Sequence, residues 1–162
     1  VIRVDDPAAL ERETMNILAR SVLIIAQEWL PSDYDWRVGV LDRQVLYACK
    51  YHMVRGHWQI AQTDSTGRRR FGRVEGVPLD QVPRNVLSNA LKAANAIGDG
   101  LYGVDVKQVG SKAYVIEVND NPNIDVGCED RILKDALYDR IMQTFLRRLE
   151  LIHQPPSQRR KH

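Results

Sequence analysis

Residues 101–125 read LYGVDVKQVGSKAYVIEVNDNPNID, and this stretch decides the fold. Two apolar, β-branched runs at 104–109 and 113–118 flank a polar break at Gly110 and Ser111, the composition of strand, turn and strand. With Gly110, Ser111 and Lys112 as the loop, Val109 faces Ala113, and counting outward sets Asp105 opposite Glu117. Side chains alternate across a strand. Val104, Val106, Ile116 and Val118 therefore share an apolar face, and Asp105, Lys107, Glu117 and Asn119 share a polar one. Directly opposed β-carbons lie roughly 5 Å apart, and two carboxylates at that spacing repel unless a cation or a proton stands between them. Magnesium suits such a place, because it takes oxygen ligands at about 2.1 Å, usually one or two carboxylates completed by phosphate oxygens and water.

The competing reading is an amphipathic hairpin whose polar face meets only water, with Lys107 neutralising the acids. Asn119 counts against it by adding one more oxygen ligand to the same face, and residues 119–123 leave the strand through a polar turn. An EF-hand calcium loop fails in detail. Oxygen-bearing residues recur at Asn119, Asn121, Asn123 and Asp125, but Ile124 stands where that loop needs Gly and Asp130 where it needs a bidentate Glu.

These residues resemble the ATP-grasp carboxylate–amine ligases, in the branch of RimK-type ribosomal-protein modifiers and glutathione synthetase-like enzymes. Gly103-Val104-Asp105 followed by Ile116-Glu117-Val118-Asn119 is similar to that family's pair of magnesium-binding strands, with Asp105, Glu117 and Asn119 on its metal-ligand positions. Ile24-Ile25-Ala26-Gln27-Glu28-Trp29-Leu30 resembles the strand and hinge that hold adenine, and Asp35-Trp36-Arg37-Val38 resembles the Asp-x-Arg element. The motifs follow the family's order from about residue 22 to residue 152. The resemblance implies ATP-dependent ligation, in which a carboxylate of a small molecule or peptide attacks the γ-phosphate and an amine then displaces phosphate from the acyl phosphate. ATP and Mg2+ are the implied ligands, with Mn2+ as the alternative ion.

On the resemblance, Gln27, Glu28, Trp29 and Leu30 hold adenine, and Asp33 or Asp35 takes the ribose hydroxyls. The residues agree in part: 22–26 is a short apolar run suited to a buried strand, whose end offers N–H and C=O groups to an adenine edge. Trp29 reads equally as a core or rim aromatic. Arg37 lies in the strand-like run 36–41, where an unpartnered guanidinium facing the core is expensive, so a phosphate or acyl-phosphate partner fits it. A salt bridge to Asp35 or Asp42 is the competing account. Arg37 and Lys50 are the expected catalytic charges, set to stabilise the transferring phosphoryl group. Tyr51 stands where relatives place an Arg near the phosphates, with Lys50 or Arg55 as substitutes. Arg68, Arg69, Arg70 and Arg73 read as a solvated basic run more readily than as a clamp for acidic substrate.

The remainder reads as scaffold. Residues 1–4 look like the end of a strand, Asp5 and Asp6 offer an N-cap before Pro7, and 8–20 forms an amphipathic helix. In ATP-grasp enzymes such a strand follows a Gly-rich phosphate loop and its lysines, so the resemblance implies the C-terminal portion of an ATP-grasp domain over 1–153. Residues 79–98 give a helix with Val86, Leu87, Ala90, Leu91, Ala94 and Ile97 on the face that packs on the hairpin. Residues 131–152 give a second, with Ile132, Leu133, Ala136, Leu137, Ile141, Phe145, Leu149 and Ile152 inward, before a basic, disordered tail at 154–162. The order of elements predicts an α+β architecture, a largely antiparallel sheet with helices packed on one side, in one compact unit.

Composition narrows the function little further. The 162 residues are 44% hydrophobic, enough for one core, and a net charge of +2 implies neither nucleic acid nor an anionic membrane as partner. No apolar run approaches the roughly 20 residues needed to span a bilayer. Cys49 and Cys128, without a disulfide-dense pattern or a Cys/His cluster, suit a reducing cytoplasm and argue against zinc. An oligomer is compatible with the sequence, and a non-catalytic nucleotide- or partner-binding derivative of the same fold is the alternative function.

Overall fold

A hairpin that alternates polar with apolar residues must bury one face against something, and the 84–97 segment supplies it. In this computed structural model, which describes residues 1–63 and 66–153, helix α2 (Arg84–Ile97) lies across the hairpin of β6 (Leu101–Val109) and β7 (Lys112–Asn119). Asn85 Nδ2 donates to the Ser111 carbonyl at 2.8 Å and Asn89 Nδ2 to the Ala113 carbonyl at 2.9 Å. The expected helix over 79–98 is split, because Pro83 has no N–H to donate and holds Val82 extended. A 3₁₀ turn, Leu79–Gln81, precedes it. Ile97, expected inward, is exposed.

Two more strands complete the core, β1 (Tyr34–Leu41) and β2 (Gln44–His52), with the short β5 (Val74–Gly76) at the edge. The five-stranded sheet runs β5-β2-β1-β6-β7, and every neighbouring pair is antiparallel. The architecture is α+β, as expected. Strands β3 (Ala61–Thr63) and β4 (Arg69–Phe71) form a separate two-stranded sheet.

Helices cover both faces of the main sheet, not one. Trp36, Val38, Val40, Val104 and Val106 are buried against Val86, Ala90 and Ala94 of α2, while Leu41, Tyr47 and Cys49 meet Leu137 and Ile141 of α3 (Asp135–His153) on the other side. The reason is in β1 and β2, whose alternate positions are apolar on both faces at this end. The predicted stripe of α3 is therefore only partly used. Leu137 and Ile141 are buried, Leu133 packs beside them, and Ile132, Ala136, Phe145, Leu149 and Ile152 are exposed. Past Ile141 the helix is tied by Arg147 and Arg148, both bonded to Asp42.

The chain divides into two compact units, Val1–Pro31 and Ser32–His162. In the first, α1 (Pro7–Leu18) starts as expected, with Asp6 accepting from the Ala9 N–H at 2.8 Å and Pro7 in the first turn. Neither expected strand forms there. Residues 1–4 and 22–26 lie outside any strand, and Val22, Leu23 and Ile25 are exposed. An apolar run becomes a strand only where a neighbouring edge takes its N–H and C=O groups. The tail at 154–162 is outside the described residues. No helix among the described residues is long and apolar enough to cross a membrane.

Tyr47 lies flat over Gly39, and a Cβ added there would meet its ring at 2.2–2.5 Å. With Tyr47 only 3% exposed the ring has nowhere to go. Gly39→Ala is expected to destabilise the fold by about 1–3 kcal/mol, read as a lower urea midpoint at unchanged slope.

Candidate functional site

The β6–β7 turn is one residue shorter than counting assumed. Gly110, at φ 58°, and Ser111 make a two-residue turn, so Lys112 pairs with Val109 and Val115, not Ile116, faces Val106. Carried on, this register would set Asp105 opposite Ile116 and turn Glu117 to the other face. An irregularity beside Asp105 takes up the extra residue of β7 instead. Asp105 thereby faces Glu117, Val104 faces Val118, and Gly103 faces Asn119.

On its other side β6 pairs with β1, and here Arg37 falls opposite Asp105. Arg37, Asp105 and Glu117 thus stand abreast across three strands. Arg37 Nη2 donates to Asp105 Oδ2 at 2.9 Å and its Nε to Oδ1, a two-pronged pair whose side chains are 12% and 17% exposed. Two residues along, the polarity reverses: Lys107 Nζ donates to Asp35 Oδ1 and, at 2.8 Å, to Ser32 Oγ. The salt bridge expected for Arg37 exists, but to neither Asp35 nor Asp42. Lys107 holds Asp35, while Arg147 and Arg148 hold Asp42, with the Arg148 hydrogen bond drawing its carboxyl below the usual range.

Burial works against the charge on Arg37, but the hydrogen bond and charge of Asp105, with Glu117 beyond, hold its pKa above the ordinary value. Glu117 goes the opposite way for an acid. Desolvation of its carboxyl and the adjacent Asp105, by charge and by hydrogen bond, push its pKa up against a smaller pull from Arg37. Opposed carboxylates that resist joint ionisation form a set suited to a hard cation. Among the described residues no group of three or more His, Cys, Asp or Glu is placed to hold a metal ion. The donors that fit such a cation are Asp105, Glu117 and Asn119, whose single amide oxygen already accepts from the Asn121 N–H at 2.9 Å and keeps a second lone pair. Such a set leaves positions for phosphate and water, as magnesium requires.

Gly103 makes room beside this row. A Cβ there would lie 2.8 Å from Pro122 Cβ and 3.1 Å from Arg37 Cδ, so only hydrogen lets the guanidinium stem and the loop leaving β7 close in together. Beneath the row lies a layer that sequence reasoning missed. Glu129 is 1% exposed, and its Oε2 accepts from the Asp125 N–H at 2.7 Å; its Oε1 and the Tyr47 hydroxyl have no partner among the described residues. Burial, then Glu129, pushes the Cys49 thiol up to about 12 and likewise raises Tyr47. Cys49 is thus an inert packing group. Polar residues in a loop gave no signal of this burial.

The expected catalytic pair does not assemble. Lys50 pairs with Trp36, and Arg37 with Cys49, so Lys50 occupies the opposite face. Its Nζ sits 4.8 Å from the Tyr34 ring centroid and 5.2 Å from that of Trp36. Tyr51 does share the face of Arg37, with its ring centroid 5.3 Å from the guanidinium carbon. Arg55 is exposed in a turn. Gln27, Glu28, Trp29 and Leu30 belong to the first unit, outside helix and strand, with the Arg3 guanidinium 3.7 Å over the Trp29 ring. Asp33 is exposed and its carbonyl accepts from the Met53 N–H at 3.0 Å. Arg69 and Arg70 are exposed on β4, as expected of solvated charges, whereas Arg73 pairs with Glu75 at 2.7 Å. An open cleft of about 380 Å³ between the β1–β2 turn and α3 includes none of the site residues.

No protein-family model matches the sequence, and no curated protein does. The fold does have solved counterparts. D-alanine–D-alanine ligase from Bacillus anthracis superposes on 89% of this chain and 49% of its own, with 18% identity and a TM-score of 0.60. Its complex with ATP superposes over the same shares at 16% identity and a TM-score of 0.65. The fold is that of the ATP-grasp ligases. The chain spans about half the length of the ligase it matches. The ATP-grasp ligase PsnB, complexed with a precursor variant, Mg and ADP, aligns over 71% of this chain and 34% of its own at 24% identity, with a TM-score of 0.44. The two superpositions on the D-alanine–D-alanine ligase show the fold alone, and not the RimK or glutathione synthetase-like branch.

Because Glu117 titrates above its ordinary value of 4.5 when folded, the folded state keeps its proton longer than the unfolded chain. Stability then falls as pH rises from that value through the raised one. Glu117→Gln removes the loss. The variant is expected to melt a few degrees above the unmodified chain at pH 7, in metal-free buffer, and to converge with it near pH 4, measured by scanning calorimetry.

Proposed function

We propose that this chain binds ATP with a divalent cation and serves ligation of a carboxylate to an amine through an acyl phosphate. One observation carries the reading: Arg37, Asp105 and Glu117 stand abreast on β1, β6 and β7, with Asn119 next along, in a fold shared with a ligase solved in complex with ATP. Asp105, Glu117 and Asn119 would hold Mg2+, or Mn2+ in its place. A cation bound there neutralises phosphate charge and fixes the phosphates in line for transfer.

Arg37 is the group placed to meet charge that builds on the transferring phosphoryl oxygens. The carboxylate attacks as its anion and the amine as its neutral form, and the proton the amine loses on amide formation can pass to the displaced phosphate, so no acid–base side chain is invoked. Contacts to adenine fall to Gln27, Glu28, Trp29 and Leu30. Asp33 suits the ribose hydroxyls better than Asp35, whose carboxylate is already bonded by Lys107 and Ser32. The substrates on this reading are a small-molecule or peptide carboxylate and an amine, in the manner of the RimK or glutathione synthetase-like branch and in the cytoplasm.

Calorimetric titration with ATP, with and without Mg2+, tests the reading against the Asp105→Ala, Glu117→Ala double variant. The expected outcome is magnesium-dependent heat, weakened about tenfold or more in the folded double variant. Binding indifferent to magnesium or to both carboxylates would remove the hairpin from the nucleotide site. Hydroxylamine as a surrogate amine separates ligase from binding module: an ATP-dependent hydroxamate marks the acyl phosphate, and binding without it marks the non-catalytic derivative.

A further inference from the structure

With Lys50 on the opposite face, the part-buried cations that the described strands bring to the face of Asp105 and Glu117 are Arg37 and Lys107. Lys107 stands two residues beyond Asp105 on β6, with its side chain 15% exposed. An ammonium has three N–H donors and accepts nothing. One goes to Asp35 and a second to Ser32 Oγ at 2.8 Å, while Ser32 itself donates to Asp35 at 3.1 Å. The third has no partner among the described residues. A closed triangle of this kind holds the ammonium in one place and leaves one donor to spend.

Position says where that donor is spent. Strands β6 and β1 are antiparallel, so the step from Asp105 to Lys107 moves toward the start of β1, where Ser32 and Asp33 lead in. Lys107 thus lies between the cation row and Asp33, with its Cα roughly 7 Å from that of Asp105. Charge points the same way. Asp35, Asp105 and Glu117 outnumber Arg37 by two charges, which a divalent cation only cancels. Lys107 turns the loaded face positive, as an incoming anion requires.

We propose that Lys107 binds the nucleotide phosphate nearest the ribose through its third N–H, with Asp35 and Ser32 as the positioning residues that aim it. Arg37 faces the phosphoryl group that is transferred, and Lys107 one that stays with the nucleoside. No existing contact has to break, since the bonds to Asp35 and Ser32 persist while the free N–H donates. The inference rests on the proposed function and deepens it, giving Asp35 to Lys107 and not to the ribose.

The phosphate in question is present in AMP, ADP and ATP and absent from adenosine, so these four probes isolate the contact. Titrations in Mg2+ buffer, by calorimetry for the nucleotides and by NMR for adenosine, compare the unmodified chain with Lys107→Met. The expected result is a common loss of about tenfold for AMP, ADP and ATP, with adenosine unchanged. In the hydroxamate assay the loss falls on KM for ATP and leaves kcat unchanged, as for a contact equally strong in ground and transition states. Lys107→Gln keeps a donor for Asp35 without the charge, and the same pattern is expected of it if the Met variant does not fold.

Adenosine weakened by the same factor would make Lys107 a structural group and overturn the contact. Equal affinities in variant and unmodified chain for all four probes would overturn it as well. A loss confined to ATP would move Lys107 to the terminal phosphate and overturn its assignment. No nucleotide binding by the folded, unmodified chain would overturn the proposed function, and this inference with it.

Discussion

The pairing of β1 with β6 that sets Arg37 against Asp105 is the constraint on which the rest of the site hangs. Both strands lie inside the sheet order β5-β2-β1-β6-β7, so each is held by a ladder on either side, and the two charges cannot drift apart as they would on an edge. Such a pair is a poor way to gain stability. Removing two charges from water costs several kcal/mol per ion, and apolar residues of similar size often serve as well or better. The glycines around it also forgo packing, Gly39 beneath the Tyr47 ring and Gly103 between Arg37 and Pro122. A central sheet position given over to charge and glycine is more readily understood as a site than as a core.

Register on the outer strand matters equally. With a two-residue turn and an uninterrupted ladder, Glu117 would point toward α2 and Ile116 would stand beside Asp105. One extra residue in β7, absorbed next to Asp105, exchanges them. Bulges of this sort re-aim side chains and raise local twist, and here the correction is confined to the edge strand. The α2 packing through Ala113 and Val118 is kept on both sides of it.

Much of this was legible in residues 101–125 alone, and the reasons for the failures are instructive. Asp105 was placed opposite Glu117 by counting through a loop one residue too long, and the bulge cancelled that error. The opposition was therefore read correctly by two offsetting departures. Local alternation could show that Asp105 and Glu117 share a face, but the partner of Arg37 lies 68 residues away, and no local rule reaches it. The face of Lys50 is hidden from the sequence for a related reason: it depends on which residue of β1 Lys50 opposes, and shifting that register by one reverses the answer. The burial of Glu129 carries no sequence signal, because loop carboxylates are rarely fully buried. The strand expected at 22–26 and the outer half of the α3 stripe show the limit of apolar pattern, which marks what can be buried and not what it is buried against.

The opposite-face arrangement also explains why the charged row is electrostatically strong. Toward α3 the same face closes over Leu41, Tyr47, Cys49 and Glu129, and toward the hairpin end it opens into Asp35, Arg37, Lys107, Asp105 and Glu117. The Arg37–Asp105 pair is thus backed by apolar side chains and the buried Tyr47 and Glu129, and a charge so backed is poorly screened. Burial opposes the charge on Arg37, yet the hydrogen bond and charge of Asp105 hold it above its ordinary pKa, while desolvation and then Asp105 push Glu117 toward its neutral form against a smaller pull from the guanidinium. The row thus joins one satisfied ion pair to one carboxylate whose ionisation is disfavoured, and the difference follows from which strand each acid stands on.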